Sequence, residues 1–238
     1  MNKEYKISRS KIELYTECPK CFFLEVIKGV KRPSMPGFSL NSAVDELLKK
    51  EFDILRKEKK SHELMDKFNI KAIPFSHPDL DQWRYNFTGV RFKHSSGITL
   101  FGAVDDLWIN ENEEIHVVDY KSTSTSEEIT LDGEYKAAYK RQIEIYQYLL
   151  EHIGLKISKT GYFVYANARK DLNSFDEKLI FDMKIIPYTG DNSWVEGTVV
   201  KIVNLLESED MPLPSSTCKY CNYIREYNNS INNQLSLF

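Results

Sequence analysis

Apolar residues recur along this chain with two different periods. Leu40, Val44, Leu47, Leu48 and Phe52 stand three and four residues apart opposite a charged face, which predicts an amphipathic helix running to about Arg56. Ahead of it, Ile7 to Tyr15 reads as a short helix opened by Ser8 or Ser10. Pro19 enforces a break at Cys18-Pro-Lys-Cys21, and Phe22, Phe23, Leu24, Val26 and Ile27 form an apolar run ended by Gly29 and a Pro33/Pro36/Gly37 loop. Residues 57–85 contain Pro74 and Pro78 and read as connector with a short helix. From Gly89 the period becomes two. Val90, Phe92 and His94, a Ser95-Ser96-Gly97 turn, and Ile98 to Ile109 predict a β-hairpin, with a turn at Asn110 to Glu113 and a strand from Ile115 to Lys121. A Ser/Thr-rich loop (Ser122 to Ser126) leads into a long helix from Glu134 to His152. Strands at Thr160 to Ala166 and Leu179 to Ile186, a helix from Asn192 to Glu207 and a Cys218 segment complete the chain.

Composition narrows the class. At 238 residues, 42% apolar and 28% charged, with no apolar run near the roughly 18 residues a membrane span needs, the chain reads as a globular α/β protein. The opening MNKEYKISRSKIELY has no apolar leader, so the expected location is cytoplasmic and the four cysteines are expected as thiols. The net charge of −3 conceals an asymmetry: residues 1–60 hold 14 Lys/Arg against 9 Asp/Glu. Lys49, Lys50, Arg56, Lys57, Lys59 and Lys60 either form a cationic face toward a phosphate backbone or are an ordinary solvated helix surface.

The chemistry concentrates in the middle of the chain. Strand alternation puts Ile115, Val117, Asp119 and Lys121 on one face, and Gly102-Ala-Val-Asp-Asp106 brings further carboxylates to the same sheet. A cation bound by Asp105 and Asp119 would be hard and oxygen-ligated, which suits Mg²⁺ or Mn²⁺. Lys121 would then orient water or stabilise charge on a phosphate. By spacing alone the plainer reading is an Asp-Lys pair on an edge strand. Asp106 is expected as a supporting or turn acid. Gln142 and Tyr146, four apart, share a helix face. His62, His77, His94, His116 and His152 fit no ligand pattern and read as surface or packing residues. Cys18-x-x-Cys21 and Cys218-x-x-Cys221 are two chelating pairs that together could form one four-thiolate site, so the two ends of the chain should meet.

Gly102-x-x-Asp105, Asp119-x-Lys121 and Gln142-x-x-x-Tyr146, in this order, resemble the PD-(D/E)XK nuclease superfamily. They specifically resemble its RecB-like branch, and the chain looks similar to the CRISPR-associated RecB-like and AddB-type iron-sulfur nucleases. Ile7-Ser-Arg-Ser10 to Cys18-Pro-Lys20 looks like the opening motif of that branch. The resemblance implies a restriction-endonuclease-like fold, a mixed central sheet flanked by helices with an N-terminal helical flap. It also implies one domain over 1–238, divided into a helical portion (1–85), a nuclease core (86–207) and a C-terminal Cys segment (208–238).

The implied activity is metal-dependent hydrolysis of DNA in repair, recombination or defence, acting on single strands or duplex ends with a possible helicase or repair-complex partner and no membrane. Its site residues would be Asp105, Asp119 and Lys121, with Gln142 and Tyr146 placing substrate. One departure stands out: Asn41-Ser-Ala-Val-Asp45-Glu46 puts Asp45 where the family offers a metal-binding histidine. Asp45 is therefore expected as an unusual third ligand to Mg²⁺ or Mn²⁺. The family's iron-sulfur members carry one N-terminal and three C-terminal cysteines, the last near Tyr227. The two-and-two arrangement here suits a [4Fe-4S] cluster or Zn²⁺. The rival expectation is a catalytically weakened DNA-binding subunit, while the absence of a Gly-rich phosphate loop argues against a nucleotide enzyme.

Overall fold

The computed structural model describes residues 4–34, 37–208 and 210–235. The elements begin β1 (Lys6–Ser8), α1 (Arg9–Glu17), α2 (Pro19–Val26), α3 (Ser39–Glu58), α4 (Glu63–Lys67), β2 (Ala72–Pro74), α5 (Leu80–Arg84), β3 (Val90–Lys93) and β4 (Thr99–Gly102). They continue β5 (Asp106–Asn110), β6 (Ile115–Thr123), α6 (Glu134–His152), β7 (Thr160–Ala168), β8 (Phe181–Thr189), α7 (Ser193–Glu207) and α8 (Lys219–Leu235). These fall into two compact units, one comprising residues 1–9 and 37–195, the other 10–36 and 196–238.

The first unit is built on a five-stranded sheet of order β2-β5-β6-β7-β8, beside a three-stranded sheet of order β1-β4-β3. The larger sheet is mixed: β6 and β7 run parallel, and the other neighbours run antiparallel. Parallel neighbours need a crossover, and α6 supplies it. Of the stripe read on α3, Leu48 and Phe52 bury against Trp108, Val118, Tyr120 and Val164 on one face of the sheet and Val44 packs beside them, whereas Leu40 and Leu47 are exposed. Phe52 stacks on Trp108 at 5.3 Å and on His62 at 4.6 Å. On the opposite face, α6 buries Ile143 and Leu149. The mixed sheet flanked by helices is thus the architecture the sequence implied.

Four local readings change. Ile98 to Ile109 is two strands, because the chain leaves the small sheet after Gly102 and enters the large one at Asp106. A period of two runs through that switch unmarked, and it leaves Asp105 in the break rather than on a strand. Ile7 lies in a three-residue strand pairing parallel with β4, so the first helix begins at Arg9. The apolar run after Pro19 is a helix, with proline in the first turn where its missing N–H costs nothing. Residues 57–85 contain β2, a short edge strand ending on Pro74, where a missing donor is tolerated.

The second unit is helical, drawn from α1, α2, α7 and α8. Its first segment is tied by ion pairs from Lys11 to Glu25 and from Arg32 to Glu17. Among the described residues, no helix of either unit is long and apolar enough to cross a membrane.

Candidate active site and four-cysteine centre

Strand β6 sets the geometry in the first unit. Its alternation turns Val118 and Tyr120 toward α3, and Asp119 and Lys121 toward α6, where Lys121 Nζ lies 3.5 Å from Gln142 Oε1. Gln142 Nε2 in turn donates to Tyr146 Oη at 3.3 Å. Gly102 is required here: a Cβ on it would stand 2.8 Å from the Tyr146 ring and 3.1 Å from Arg9 Cβ. The glycine of the Gly-x-x-Asp pattern is therefore the floor on which Tyr146 packs.

Asp119 is fully buried, and neither of its carboxylate oxygens has a hydrogen-bond partner. Lys121 Nζ approaches Oδ2 to 2.5 Å as an ion pair, though not in hydrogen-bonding alignment. Burial, reinforced by the charge of Asp105 and opposed by Lys121 and Arg9, pushes the Asp119 carboxyl up to about 7. Asp105, in the β4–β5 break, accepts the Tyr120 backbone N–H at 2.9 Å, which fixes its orientation on β6. Asp45 on α3 is half-buried and raised by burial and by the neighbouring Asp105 charge. The two carboxylates share a partner: Lys49 Nζ lies 2.8 Å from Asp45 and 3.7 Å from Asp105.

The structure thus brings Asp105, Asp119, Lys121, Gln142, Tyr146 and Asp45 into one neighbourhood. Their residue types suit a hard divalent cation, and an orphaned buried carboxylate is what such an ion would satisfy.

Asp106 takes the supporting role of the two expected for it, not that of a turn acid. It has no exposure, accepts from Tyr120 Oη at 2.8 Å, and pairs with Arg84 at 2.6 Å and with Arg56. Both arginines also hold Asp53. This buried network fastens α3 and α5 to the start of β5, one residue from Asp105. Arg56 therefore leaves the candidate cationic face, and Lys49 and Lys50 are paired with acids as well. Lys49 was recoverable from its spacing of four after Asp45. Arg84 was hidden in a stretch read as connector. The histidines pack as expected, with His62 capping α4, His116 hydrogen-bonded to the Thr160 carbonyl and His152 to that of Tyr148.

In the second unit the two Cys-x-x-Cys pairs meet. One Sγ from each of Cys18, Cys21, Cys218 and Cys221 lies within 4.8 Å of the others, and among the described residues no other His, Cys, Asp or Glu group is gathered this way. Cys18 and Cys21 flank the start of α2, and Cys218 and Cys221 flank the start of α8. Sγ separations are 3.5 Å (Cys21–Cys221), 3.7 Å (Cys21–Cys218) and 3.8 Å (Cys18–Cys221). Burial raises the Cys18 thiol, but backbone hydrogen bonds at Cys21 and Ser215 outweigh it and bring the thiol down to about 7. Arg32 donates to Cys218 Sγ at 3.4 Å, a cation beside sulfurs that would carry thiolate charge. Burial instead raises Cys21 and Cys221, and it is the gathering of four sulfurs that fits a thiophilic metal.

No curated protein matches the chain. A solved structure described as "Crystal structure of SSO0001" is similar at 15% identity, covering 89% of this chain and 81% of that one with a TM-score of 0.40. The family model of the PD-(D/E)XK nuclease superfamily matches residues 39–225, a span that holds Asp45, Asp105, Asp119, Lys121, Gln142 and Tyr146 together with the C-terminal cysteine pair. Over that span, most of its length, the chain belongs to the PD-(D/E)XK nuclease superfamily.

Proposed function

We propose that the protein is a divalent-metal-dependent nuclease that hydrolyses DNA phosphodiester bonds, with Asp45, Asp105 and Asp119 holding the cation. The observation that carries this reading is Asp119: a fully buried carboxylate paired with Lys121 but with no aligned hydrogen bond costs a fold several kcal/mol, and such a cost is typically kept at functional sites. Bound there, a Mg²⁺ or Mn²⁺ ion would supply Lewis acidity and a water acidified enough to attack.

The remaining roles belong to the chain's own side chains. Lys121, held between Asp119, Gln142 and the face of Tyr139 at 4.5 Å, keeps an ammonium beside the carboxylates, where it stabilises charge developing on a phosphate. Gln142 and Tyr146 fix that lysine from the α6 side. In the reaction a water oxygen bonds to phosphorus, the bond to the leaving ester oxygen breaks, and the water's proton balances the alkoxide released.

DNA as partner is supported in the second unit by an open groove of about 970 Å³. Lys20, Lys31, Arg32, Lys219 and Arg225 line it together with Tyr220 and Tyr223 over a largely apolar floor that includes Leu24, Val30 and Ile224, and Arg32 is itself paired with Glu17.

For the four cysteines the spacing favours one zinc ion. Four sulfurs each about 2.3 Å from one tetrahedral ion stand about 3.8 Å apart. Three of the six separations, at 3.5 to 3.8 Å, lie near that edge and all six are within 4.8 Å, whereas a four-iron cluster sets its thiolates farther apart.

The test is cleavage of end-labelled single- and double-stranded DNA with Mg²⁺ or Mn²⁺ added to purified protein. Metal-dependent cutting by the wild type that is lost in Asp119→Asn is expected. Equal cutting by the two proteins would reject the assignment.

A further inference from the structure

Lys49 stands one helical turn after Asp45 on α3. The next residue, Lys50, has the same spacing from Glu46 and pairs with it at 2.7 Å, but that pair is two-thirds exposed and is ordinary surface charge. Lys49 is only 21% exposed and reaches beyond its own helix, lying 2.8 Å from Asp45 and 3.7 Å from Asp105. We propose that Lys49 is a resident counter-ion, an ammonium that occupies the space between Asp45 and Asp105 while the site is metal-free and gives way when a divalent cation enters. The proposal rests on the reading that Asp45, Asp105 and Asp119 bind that cation.

Three observations carry it. First, the three aspartates do not form a tight trio of ligand oxygens, although the four cysteines do form such a group. With the ammonium set between two of them, these carboxylates are held in a cation-compatible but pre-filled arrangement. Second, the side chain can leave. Lys49 is a point charge on a flexible stem with a solvent-facing side, unlike Arg56 and Arg84, whose guanidinium forks are each fixed on both Asp53 and Asp106. Third, Lys49 stands where the ion would: its ammonium lies 2.8 Å from Asp45 and 3.7 Å from Asp105 and so fills the position of a cation bridging the two, whereas Lys121 pairs with Asp119 and flanks the site. Filling the site therefore expels the ammonium, and some of the cation's binding energy is spent in doing so. In the empty state the same lysine shields two facing carboxylates that would otherwise repel each other.

The test uses the full chain at pH 8 in chelator-free buffer, with Mn²⁺ alone as probe. Lys49→Met should bind Mn²⁺ about tenfold more tightly by calorimetry, because the competing charge is gone. Its metal-free melting temperature should fall, since Asp45 and Asp105 lose their shield, and the upward shift produced by Mn²⁺ should widen. Lys49→Arg retains the charge and should bind no more tightly than wild type. A merely structural lysine predicts the opposite, weaker Mn²⁺ binding in Lys49→Met through a disordered site. Unchanged or weaker binding in the folded variant overturns the proposal. Should Lys49→Met not fold, Lys49→Gln is judged by the same criterion. A wild type with no Mn²⁺ site that Asp119→Asn abolishes would instead refute the metal-site reading on which the proposal stands.

Discussion

Replacing Asp119 by asparagine should stabilise the metal-free protein while abolishing its activity. The carboxyl lies wholly out of solvent and sits at about 7 instead of its ordinary 3.8, chiefly through burial. Because the folded value exceeds the unfolded one, the fold keeps this contribution in full below about pH 4 and loses it as the pH rises to 7. At roughly 1.4 kcal/mol per pH unit, the wild type at pH 8 carries a penalty of about 4 kcal/mol for burying the charge, and at pH 5 less than about 2 kcal/mol. Lys121 is already counted in that value, so its loss as a partner does not reverse the sign. Asparagine removes the charge but brings two amide donors into a pocket facing an ammonium, which offsets about 1–2 kcal/mol. The net gain at pH 8 is then about 2–3 kcal/mol, or on the order of 5–10 °C in melting temperature.

Calorimetric or circular-dichroism melts at pH 8 and pH 5 measure it, in buffer free of Mg²⁺ and Mn²⁺ but without chelator, so that the metal proposed for the four cysteines is not withdrawn. Adding Mn²⁺ at a hundred times its dissociation constant should raise wild-type stability by about 2.7 kcal/mol and leave the variant unmoved. An asparagine variant less stable than wild type at pH 8, or a gap equal at the two pH values, would show that the buried charge is not the cost inferred.

Lys121→Met should keep Mn²⁺ affinity within a few-fold by calorimetry while lowering kcat by about 10²- to 10³-fold in single-turnover cleavage, the loss seen when one charge-stabilising donor is removed. Arg84→Met leaves Asp106 buried with Arg56 as its remaining cationic partner and should cost about 3 kcal/mol in denaturant unfolding; an effect below about 0.5 kcal/mol would mean that the network is dispensable. Any one of Cys18, Cys21, Cys218 or Cys221 changed to serine should strip the metal, measured as zinc per chain by mass spectrometry, and lower stability by several kcal/mol. That estimate follows from the roughly 10–16 kcal/mol of apparent binding energy in structural zinc sites. A brown protein absorbing near 400 nm, on the order expected of iron bound by cysteine, would overturn zinc in favour of a cluster.

What the sequence revealed and what it hid divide along a physical line. The elements α3, β6 and α6 were legible because each carries enough buried apolar residues to show its period, although β6 is buried on both faces and residues 142–150 of α6 on every side. The pairing of Asp119 with Lys121 followed from alternation alone. The four-cysteine centre followed from two matching pairs, since soft ligands so spaced have few other uses.

Hidden were features that depend on contacts between distant segments. The exchange of sheets after Gly102 depends on pairing with distant strands, which the run from Thr99 to Asn110 does not itself encode. Yet that exchange is what frees Asp105 from strand geometry and lets it accept the Tyr120 N–H. Arg56 was read within a candidate cationic face and Arg84 was not singled out, since their partner Asp106 lies 50 and 22 residues away.

The two halves of the Asp105-Asp106 dipeptide show why such features matter. Asp106 is anchored in a fully paired network, so the backbone entering β5 cannot shift, while Asp105 remains partly exposed beside it with a single backbone donor and one distant ammonium. A rigid acid next to an under-satisfied one is how a chain places a carboxylate firmly and still leaves it free to take a new ligand. The same division, saturated support against unsatisfied function, separates Asp53 and Asp106 from Asp105 and Asp119 throughout this site.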